Sequence, residues 1–339
     1  MDYESQYKAS ITPTPPKTIM PLTERIDCQI PATCAGMRLD QALAELLPAY
    51  SRNRLQQWLK TGQLQVNGIV RRPRDRVMGG ETVSGDLVFE IETIAVAQDI
   101  PLAIVYEDAD LLVIDKPAGL VAHPAAGNRD GTLVNALLHH MPELATLPRA
   151  GLVHRLDKDT TGLLVIARRL PAYTALVEQL QARAIEREYL AIVNGVPVAG
   201  GAVEAPIGRH PVDRQRMAVT LGGKPAVTHY RVLRRFRIHT LLRVKLETGR
   251  THQIRVHMAH IRLPLLGDPV YSGRPRLPPG ASPSCIEAIQ GFRRQALHAE
   301  RLVLAHPTTG EWLEWQAEIP ADLAELLAIL EEDADDEGN

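Results

Sequence analysis

The residues with the clearest capacity for chemistry lie in one stretch, Gly151–Arg168, which reads GLVHRLDKDTTGLLVIAR. It places His154, Arg155 and Asp157 shortly before the apolar run Leu163–Ala167. The run alternates poorly between apolar and polar residues, so it predicts a strand buried on both faces. Charged groups next to such a strand are held rigidly and are partly desolvated, which are conditions that catalytic carboxylates need.

The same stretch is also typical of a polar turn. Asp157, Asp159 and Thr160 are common turn residues, and Gly162 can supply a special backbone angle. The local pattern therefore leaves a structural and a catalytic interpretation open. The choice between them depends on the rest of the chain.

One catalytic alternative is phosphoryl transfer, because DKDTT at 157–161 fits the D-x-D-x-T nucleophile loop of haloacid-dehalogenase-type phosphotransferases. That loop needs an apolar strand running directly into its first aspartate, whereas His154 and Arg155 interrupt the run here. It also needs a later carboxylate cluster for magnesium. The candidate, Asp268, has no second acidic residue four positions on, so the sequence disfavours this chemistry.

Metal chemistry and nucleophilic serine or cysteine chemistry have weaker support. His252, His257 and His260 fall on one predicted helix, but the H-E-x-x-H spacing of a zinc site does not occur. No serine stands in a G-x-S-x-G context, and the three cysteines have neither metal-binding nor disulfide-framework spacing. We therefore expect no metal site.

The remaining alternative is carboxylate chemistry at a glycosidic bond. An ionised aspartate can attack or stabilise an anomeric carbon without metal or cofactor. Such an aspartate has to be held by a cation, and Arg250 and Arg255 are the candidates for Asp157. Tyr189 is a candidate for stacking on a base.

The surrounding patterns predict an α+β domain over residues 102–331. Predicted strands outnumber helices and often follow one another directly, so we expect a mixed, largely antiparallel central sheet. Its later elements are predicted as helices at Leu170–Ala184 and Ala321–Glu331, strands at Arg187–Val193 and Gln295–Ala305, and a turn followed by a helix within Gly249–Ile261.

A smaller unit over residues 21–92 precedes this domain, with a linker at 93–101. It reads as two helices and a hairpin, and its arginines cluster on the second helix and the hairpin loop. A basic patch of this kind is usually a solvated surface, but it can also bind phosphates by charge, with little sequence discrimination. Its exposed cations are predicted to be Arg52, Arg54, Lys60, Arg71, Arg72, Arg74 and Arg76.

Composition sets the remaining bounds. The chain has 339 residues, of which 45% are hydrophobic and 23% charged, as is ordinary for a globular protein. The net charge is −2, but residues 332–339 belong to a dense acidic tail, and the body without that tail is net positive. Residues 1–20 are polar and predicted to be disordered. No apolar run approaches a membrane span, so we expect no membrane partner. The three cysteines without a disulfide framework fit a reducing cytoplasm, which is where we expect the protein.

Two resemblances add to this reading. RLDQALAELL, SRNRLQQWLKTGQLQVNG and GGETV, over about sixty residues, are similar to an S4 RNA-binding domain. VIDKPAGLVAHP, HRLDKDTTGLLVIAR, REYLAIV, TGRTHQIRVHMAHI and RQALHA resemble, in the family's order and over nearly all of 102–320, the RluA family of pseudouridine synthases. The S4-like domain in front makes the chain most similar to the large-subunit type, which modifies helix 69 of 23S rRNA.

The resemblance implies roles for individual residues. Asp157 matches the catalytic aspartate, and Arg155 the arginine that fills the gap left by a flipped uridine. Tyr189 matches the tyrosine that stacks on the uracil and is proposed to take the C5 proton. Arg255 matches the basic residue that pairs with the aspartate, and Ile254 would pack against the base.

The chain departs from the family in two places. Position 187 is Arg where many members have Lys, and the insert Ser272–Ser284 has no clear counterpart. The resemblance implies a monomer that isomerises uridine without a cofactor, with 23S rRNA or a large-subunit precursor as partner. For the S4-like domain we expect Arg52, Arg54 and Arg72 to bind RNA. A non-catalytic RNA-binding assembly factor with the same fold is the second hypothesis.

Overall fold

A computed structural model describes residues 23–47, 50, 52–88, 95–124, 128–213 and 216–336. The tail predicted at 1–20 lies outside these residues, as do parts of the predicted linker. Within the described residues, no helix is both long and apolar enough to cross a membrane.

The N-terminal unit folds two helices onto a small antiparallel sheet with the order β1-β3-β2. The apolar faces of the helices, including Leu39, Leu43, Leu55 and Leu59, are fully buried, as the helical periodicity predicts. The elements are β1 (Thr23–Gln29), α1 (Leu39–Leu46), α2 (Arg52–Thr61), β2 (Gln65–Val66) and β3 (Thr82–Val88).

The second unit is organised by a nine-stranded sheet. Eight of its strands have the order β4-β5-β6-β13-β7-β12-β11-β8, and the ninth, β14, pairs with β13. Only the β6–β13 pair is parallel, so the predicted mixed, largely antiparallel sheet is confirmed. These strands are β4 (Ile104–Glu107), β5 (Leu111–Lys116), β6 (Thr161–Ala167), β7 (Glu186–Asn194), β8 (Gly201–Glu204), β11 (Val227–Arg235), β12 (His239–Leu246), β13 (Leu297–Ala305) and β14 (Trp312–Gln316), while β9 (Ile207–Arg209) and β10 (Met217–Val219) form a separate hairpin.

Strand β6 is buried at every position, as its continuous apolar run predicts. Leu164 and Ile166 belong to the large core on one face of the sheet, whereas Leu163 and Val165 belong to a separate core on the other. Since successive side chains of a strand point to opposite faces, a strand covered on both sides has no polar position. The loop before β6 is therefore fixed to the most buried part of the sheet.

Helices cover both faces and close the chain. They are α3 (Leu133–His140), α4 (Leu170–Gln181), α5 (Gln253–His260), α6 (Pro283–Gly291) and α7 (Ala321–Asp336). The predicted end of the last helix at Glu331 is wrong, because α7 continues to Asp336 and buries Asp333. Asp333 accepts a hydrogen bond from Arg237 and one from the Ser282 backbone, so part of the predicted acidic tail is structural.

Candidate active site

The loop that carries Asp157 turns directly into β6. The Thr160 amide donates to the Asp157 carbonyl over 3.1 Å, which closes a turn around Lys158 and Asp159. Gly162 follows with φ +109°, and a Cβ built there would lie 2.3 Å from the Ala299 carbonyl oxygen. Only glycine fits this backbone and this contact with β13. The polar-turn interpretation is thus correct for the loop, and the turn presents the carboxylate of Asp157.

Lys116, the last residue of β5, holds this loop through a hydrogen bond to its backbone. Its side chain is fully buried, and its ammonium group donates to the carbonyls of Pro117, Leu120 and Lys158 over 2.7–3.0 Å. Burial lowers the pKa of Lys116 to about 8, although the nearby charges of Asp159 and Asp157 oppose the shift. The sheet thus places a cation under the loop and ties it to the backbone next to Asp157.

Arg255 is the cation that faces Asp157. Its Nη1 donates to Asp157 Oδ2 over 3.1 Å, while Nε and Nη2 donate to the two oxygens of Asp268 over 2.7 and 2.9 Å. The Arg255 and Asp268 side chains are 5% and 0% exposed. Although burial alone would lower it, the hydrogen bonds and charges of the two aspartates raise the pKa of Arg255. One guanidinium therefore bridges a buried carboxylate and the carboxylate at the cleft.

The second oxygen of Asp157 is less constrained. Among the residues that the structure describes, Oδ1 accepts no hydrogen bond, and its nearest cationic candidate is His252, with Nε2 at 3.9 Å. Burial lowers the pKa of His252, with Asp157 opposing, so His252 is neutral at pH 7. Its Nδ1 lies 2.9 Å from the hydroxyl of Tyr271, whose ring packs 5.1 Å from the Arg255 guanidinium. Arg255 is thus the charge partner of Asp157, and Oδ1 is available to a substrate.

These groups line a cleft of about 840 Å³. Tyr189 and Ile254 are 5% and 4% exposed on its wall, and exposed Arg155 stands two residues before Asp157. Burial raises the pKa of Tyr189; the nearby charge of Arg187 opposes this shift, and the charge of Asp157 adds to it. The ring of Tyr189 can therefore stack on a base, and its resting hydroxyl is a proton donor at neutral pH.

The structure brings together in one cleft the five residues to which the resemblance assigns roles at the uridine, which are Arg155, Asp157, Tyr189, Ile254 and Arg255. It also decides which arginine is the cation that holds Asp157. Arg255 contacts Asp157, whereas Arg250 donates its Nε to the Pro225 carbonyl. The sequence reasoning gave no role to Asp268 and Lys116, which position the pair. Lys116 lies in the motif VIDKPAGLVAHP and, from the sequence, Asp268 is a candidate only for a magnesium site, but nothing in the spacing predicts a contact with Arg255 or with the Asp157 loop.

The three helix histidines do not form a metal site, and no group of metal-ligating residues occurs anywhere in the described part of the chain. His257 is fully buried between Thr228 Oγ1 and the Ala205 carbonyl, each at 2.9 Å, while His252 faces Tyr271.

The arginines of the N-terminal unit do not form one uniform exposed patch. Arg52 pairs with buried Asp40 at 2.9 Å. Although burial alone would raise it, hydrogen bonds from Arg38, Arg52 and Gln56 lower the pKa of Asp40 to about 2. Arg52 therefore has a structural partner that the sequence did not suggest. Arg72 is 74% exposed beside Asp75, and the Arg54 guanidinium lies 5.8 Å from the Trp58 ring.

Two protein-family models match the chain, one described as RNA pseudouridylate synthase over residues 110–260 and one as S4 domain over residues 37–83. The chain is 59% identical over 309 residues to the ribosomal large subunit pseudouridine synthase D of Pseudomonas aeruginosa, covering 90% of this chain and 95% of that protein. It is 57% identical to the proteins of the same name from Xanthomonas campestris pv. campestris and Escherichia coli K12, covering 90% and 88% of this chain and 92% of each relative.

Solved structures are similar as well. Human RNA pseudouridylate synthase domain containing 4 superposes with a TM-score of 0.53 at 28% identity, covering 68% of this chain and 93% of that one. Human RNA pseudouridylate synthase domain containing 1 gives a TM-score of 0.51 at 26% identity, covering 69% and 89%.

Proposed function

The chain belongs to the RluA family of RNA pseudouridine synthases and carries an S4 domain, and from this premise we propose that it isomerises uridine in helix 69 of 23S rRNA. The coarser activity, pseudouridine formation in ribosomal RNA, follows from the relatives at 57–59% identity. The target helix, the role of each residue and a monomeric, cytoplasmic enzyme are parts of the proposal.

The observation that carries the catalytic assignment is the sharing of Arg255 between Asp157 and Asp268. A buried guanidinium bound to two carboxylates holds the Asp157 carboxylate in place, with Oδ2 occupied and with no hydrogen bond to Oδ1 from any described residue. The isomerisation of a nucleoside consumes neither an oxidant nor an energy source. A positioned carboxylate can therefore supply the group that reacts at the glycosidic bond.

Asp157 starts the reaction at the ribose, by attack at C1′ or by removal of the C2′ proton, and the N1–C1′ bond breaks. The freed uracil rotates and C5 bonds to C1′. On the first route this breaks the Asp157–C1′ ester bond and frees the carboxylate, and on the second route Asp157 returns its proton to C2′. The C5 proton passes to a base, the role we assign to Tyr189, and N1 gains a proton. The product is an isomer of the substrate. Tyr189 and Ile254 bound the space in which the base rotates, with Tyr189 stacked on the ring.

A base inside folded RNA has to leave its stack before it can enter the cleft, at a cost of a few kcal/mol. Arg155 stands exposed at the cleft, close in sequence to Asp157. We assign it to the gap that the flipped uridine leaves, where a planar guanidinium can replace part of the lost stacking. Arg54 and Arg72 of the S4 domain add phosphate contacts. Arg52 makes a weaker phosphate contact, because its guanidinium is also paired with Asp40.

The target is tested by mapping pseudouridine in rRNA from a strain that lacks this gene, complemented with wild type or with Asp157→Asn. We expect the wild type to restore modification in helix 69 and the variant to restore none. Modification restored at other positions would overturn the choice of helix. Full restoration by Asp157→Asn would overturn the role of Asp157. Unchanged modification in the strain that lacks the gene would overturn the proposed activity and favour RNA binding during assembly.

A further inference from the structure

Arg187 is a buried cation without a partner. The residue is 7% exposed, lines the catalytic cleft, and makes no side-chain hydrogen bond or ion pair with any described residue. Its Nε is closed to solvent and unpaired. A guanidinium is always charged, and leaving a buried charge uncompensated costs several kcal/mol. The protein must therefore gain something from holding this group in the cleft wall.

The neighbouring acids on the same strand cannot compensate the charge. Arg187 and Tyr189 share one face of β7, while Glu186 and Glu188 point to the opposite face. Glu186 pairs with Lys245 at 2.8 Å and with Arg301 at 3.2 Å, and Glu188 lies 3.4 Å from Arg301. The carboxylates that flank Arg187 in sequence are thus neutralised on the far side of the sheet.

The carboxylates that line the cleft are also paired with other cationic side chains. In the described part of the chain, the cleft lining contains six arginines and two carboxylates, Asp157 and Glu247. Asp157 is paired with Arg255, and Glu247 is paired with Arg183 and His229. Among the described residues, no anion of the cleft is therefore left for Arg187, and its residual exposed surface opens into the cleft that it lines.

We propose that Arg187 binds a backbone phosphate of the RNA strand next to the flipped uridine, an inference that rests on the proposed function. An extruded nucleotide enters with a phosphate on each side, and a guanidinium matches phosphate oxygens in geometry and charge. The backbone of Gly249 closes over the group, since a Cβ at that position would lie 2.9 Å from Arg187 Nη1. The subsite thus consists of a fixed arginine fork with a backbone wall.

His154 does not compete for this anion. Burial, and then the charge of Arg187, lower the pKa of His154 to about 3, so its imidazole is neutral at working pH. The ring accepts a hydrogen bond from the Val165 amide over 3.3 Å. The phosphate therefore meets one buried cation on this wall.

The test uses stem-loop RNAs in which single phosphates around the target uridine are replaced, one at a time, by neutral methylphosphonates. Single-turnover pseudouridine formation at subsaturating enzyme is measured with wild type, Arg187→Gln and Arg187→Lys. With wild type, one linkage should be about ten- to a hundred-fold less reactive when neutral, the range of a charged hydrogen bond. Arg187→Gln should show a similar loss on unmodified RNA and no further loss at that linkage.

The control is Arg183→Gln, which removes a cleft arginine that already pairs with Glu247. It should keep the sensitivity to the same linkage. Arg187→Lys keeps the charge without the fork and should show a reduced sensitivity there, so it carries the test if Arg187→Gln does not fold. Equal sensitivity in the wild type and either Arg187 variant would overturn the subsite. A wild type that forms no pseudouridine in this RNA would instead overturn the proposed target.

Discussion

The substitution Asp268→Asn tests how the site holds its cation. Asp268 Oδ1 accepts from Arg255 Nη2 and from the amides of Val270 and Tyr271, while Oδ2 accepts from Arg255 Nε over 2.7 Å. An asparagine can keep its oxygen at the first position, but then its NH2 group faces the Arg255 Nε–H. The charged hydrogen bond from Arg255 Nε to Asp268 Oδ2 is thus replaced by a contact between two N–H donors, at a fully buried position.

The expected cost follows from that geometry. Removing one partner of a buried ion pair costs about 3–5 kcal/mol, and Arg255 keeps its contact with Asp157, so we expect about 3 kcal/mol less unfolding free energy. Arg255 should also shift toward Asp157 and misplace its carboxylate. A misplacement of about 1 Å can lower a rate about a hundredfold, so the single-turnover rate should fall by that order.

Denaturant unfolding and single-turnover pseudouridine formation measure the two effects. The matched control is Glu314→Gln. Glu314 also accepts two hydrogen bonds from one arginine, Arg301, but its side chain is 55% exposed. The substitution should change stability and rate little, because exposed pairs are screened by water. An Asp268→Asn enzyme within about threefold of the wild-type rate and within about 0.5 kcal/mol of its stability, roughly the precision of such comparisons, would refute the shared-cation account.

Three further predictions concern the residues that hold the Asp157 loop and the arginines of the S4 domain. In the folded protein the pKa of Lys116 is lowered from 10.5 to about 8. Between about pH 8 and pH 10.5 the unfolded chain therefore binds more protons than the folded chain. The stability of the wild type minus that of Lys116→Met should therefore rise with pH across this window by up to about 3 kcal/mol in denaturant unfolding, and a flat difference would contradict the burial argument. Gly162→Ala should lower the unfolding free energy by at least about 2 kcal/mol, since φ is +109° and the added Cβ meets β13; an unchanged melting temperature would argue against this. Arg54→Ala with Arg72→Ala should weaken RNA binding and reduce the slope of log affinity against log salt by roughly one per arginine, and an unchanged slope would exclude them as phosphate ligands.

Much of the fold follows from local patterns. The run Leu163–Ala167 predicts a strand buried on both faces because no polar residue interrupts it, and β6 is covered on both sides. The end of α7 could not be predicted, because the sequence there reads as an acidic tail. Asp333 is stabilised there by Arg237 and the Ser282 amide, which lie about fifty or more residues away in sequence.

The site shows the same division between local and long-range information. The residue types and their motif order identify Asp157 and Arg255 as candidates, although only the folded chain separates Arg255 from Arg250. The positioning roles of Lys116 and Asp268 depend on contacts between β5, the loop before β6 and the segment after α5. The pairing of Arg52 with Asp40 likewise depends on how α2 packs against α1. Spacing in the sequence does not encode these contacts.

The central claim is that the carboxylate of Asp157 performs the chemistry. The most direct measurement is the release of tritium from RNA labelled at C5 of uridine, by purified wild type and by Asp157→Asn, because joining C5 to C1′ expels the C5 hydrogen. We predict single-turnover release by the wild type and a rate at least about 10³-fold lower in the variant, equivalent to about 4 kcal/mol of barrier, with RNA affinity retained. Release by Asp157→Asn within tenfold of the wild-type rate would contradict the account.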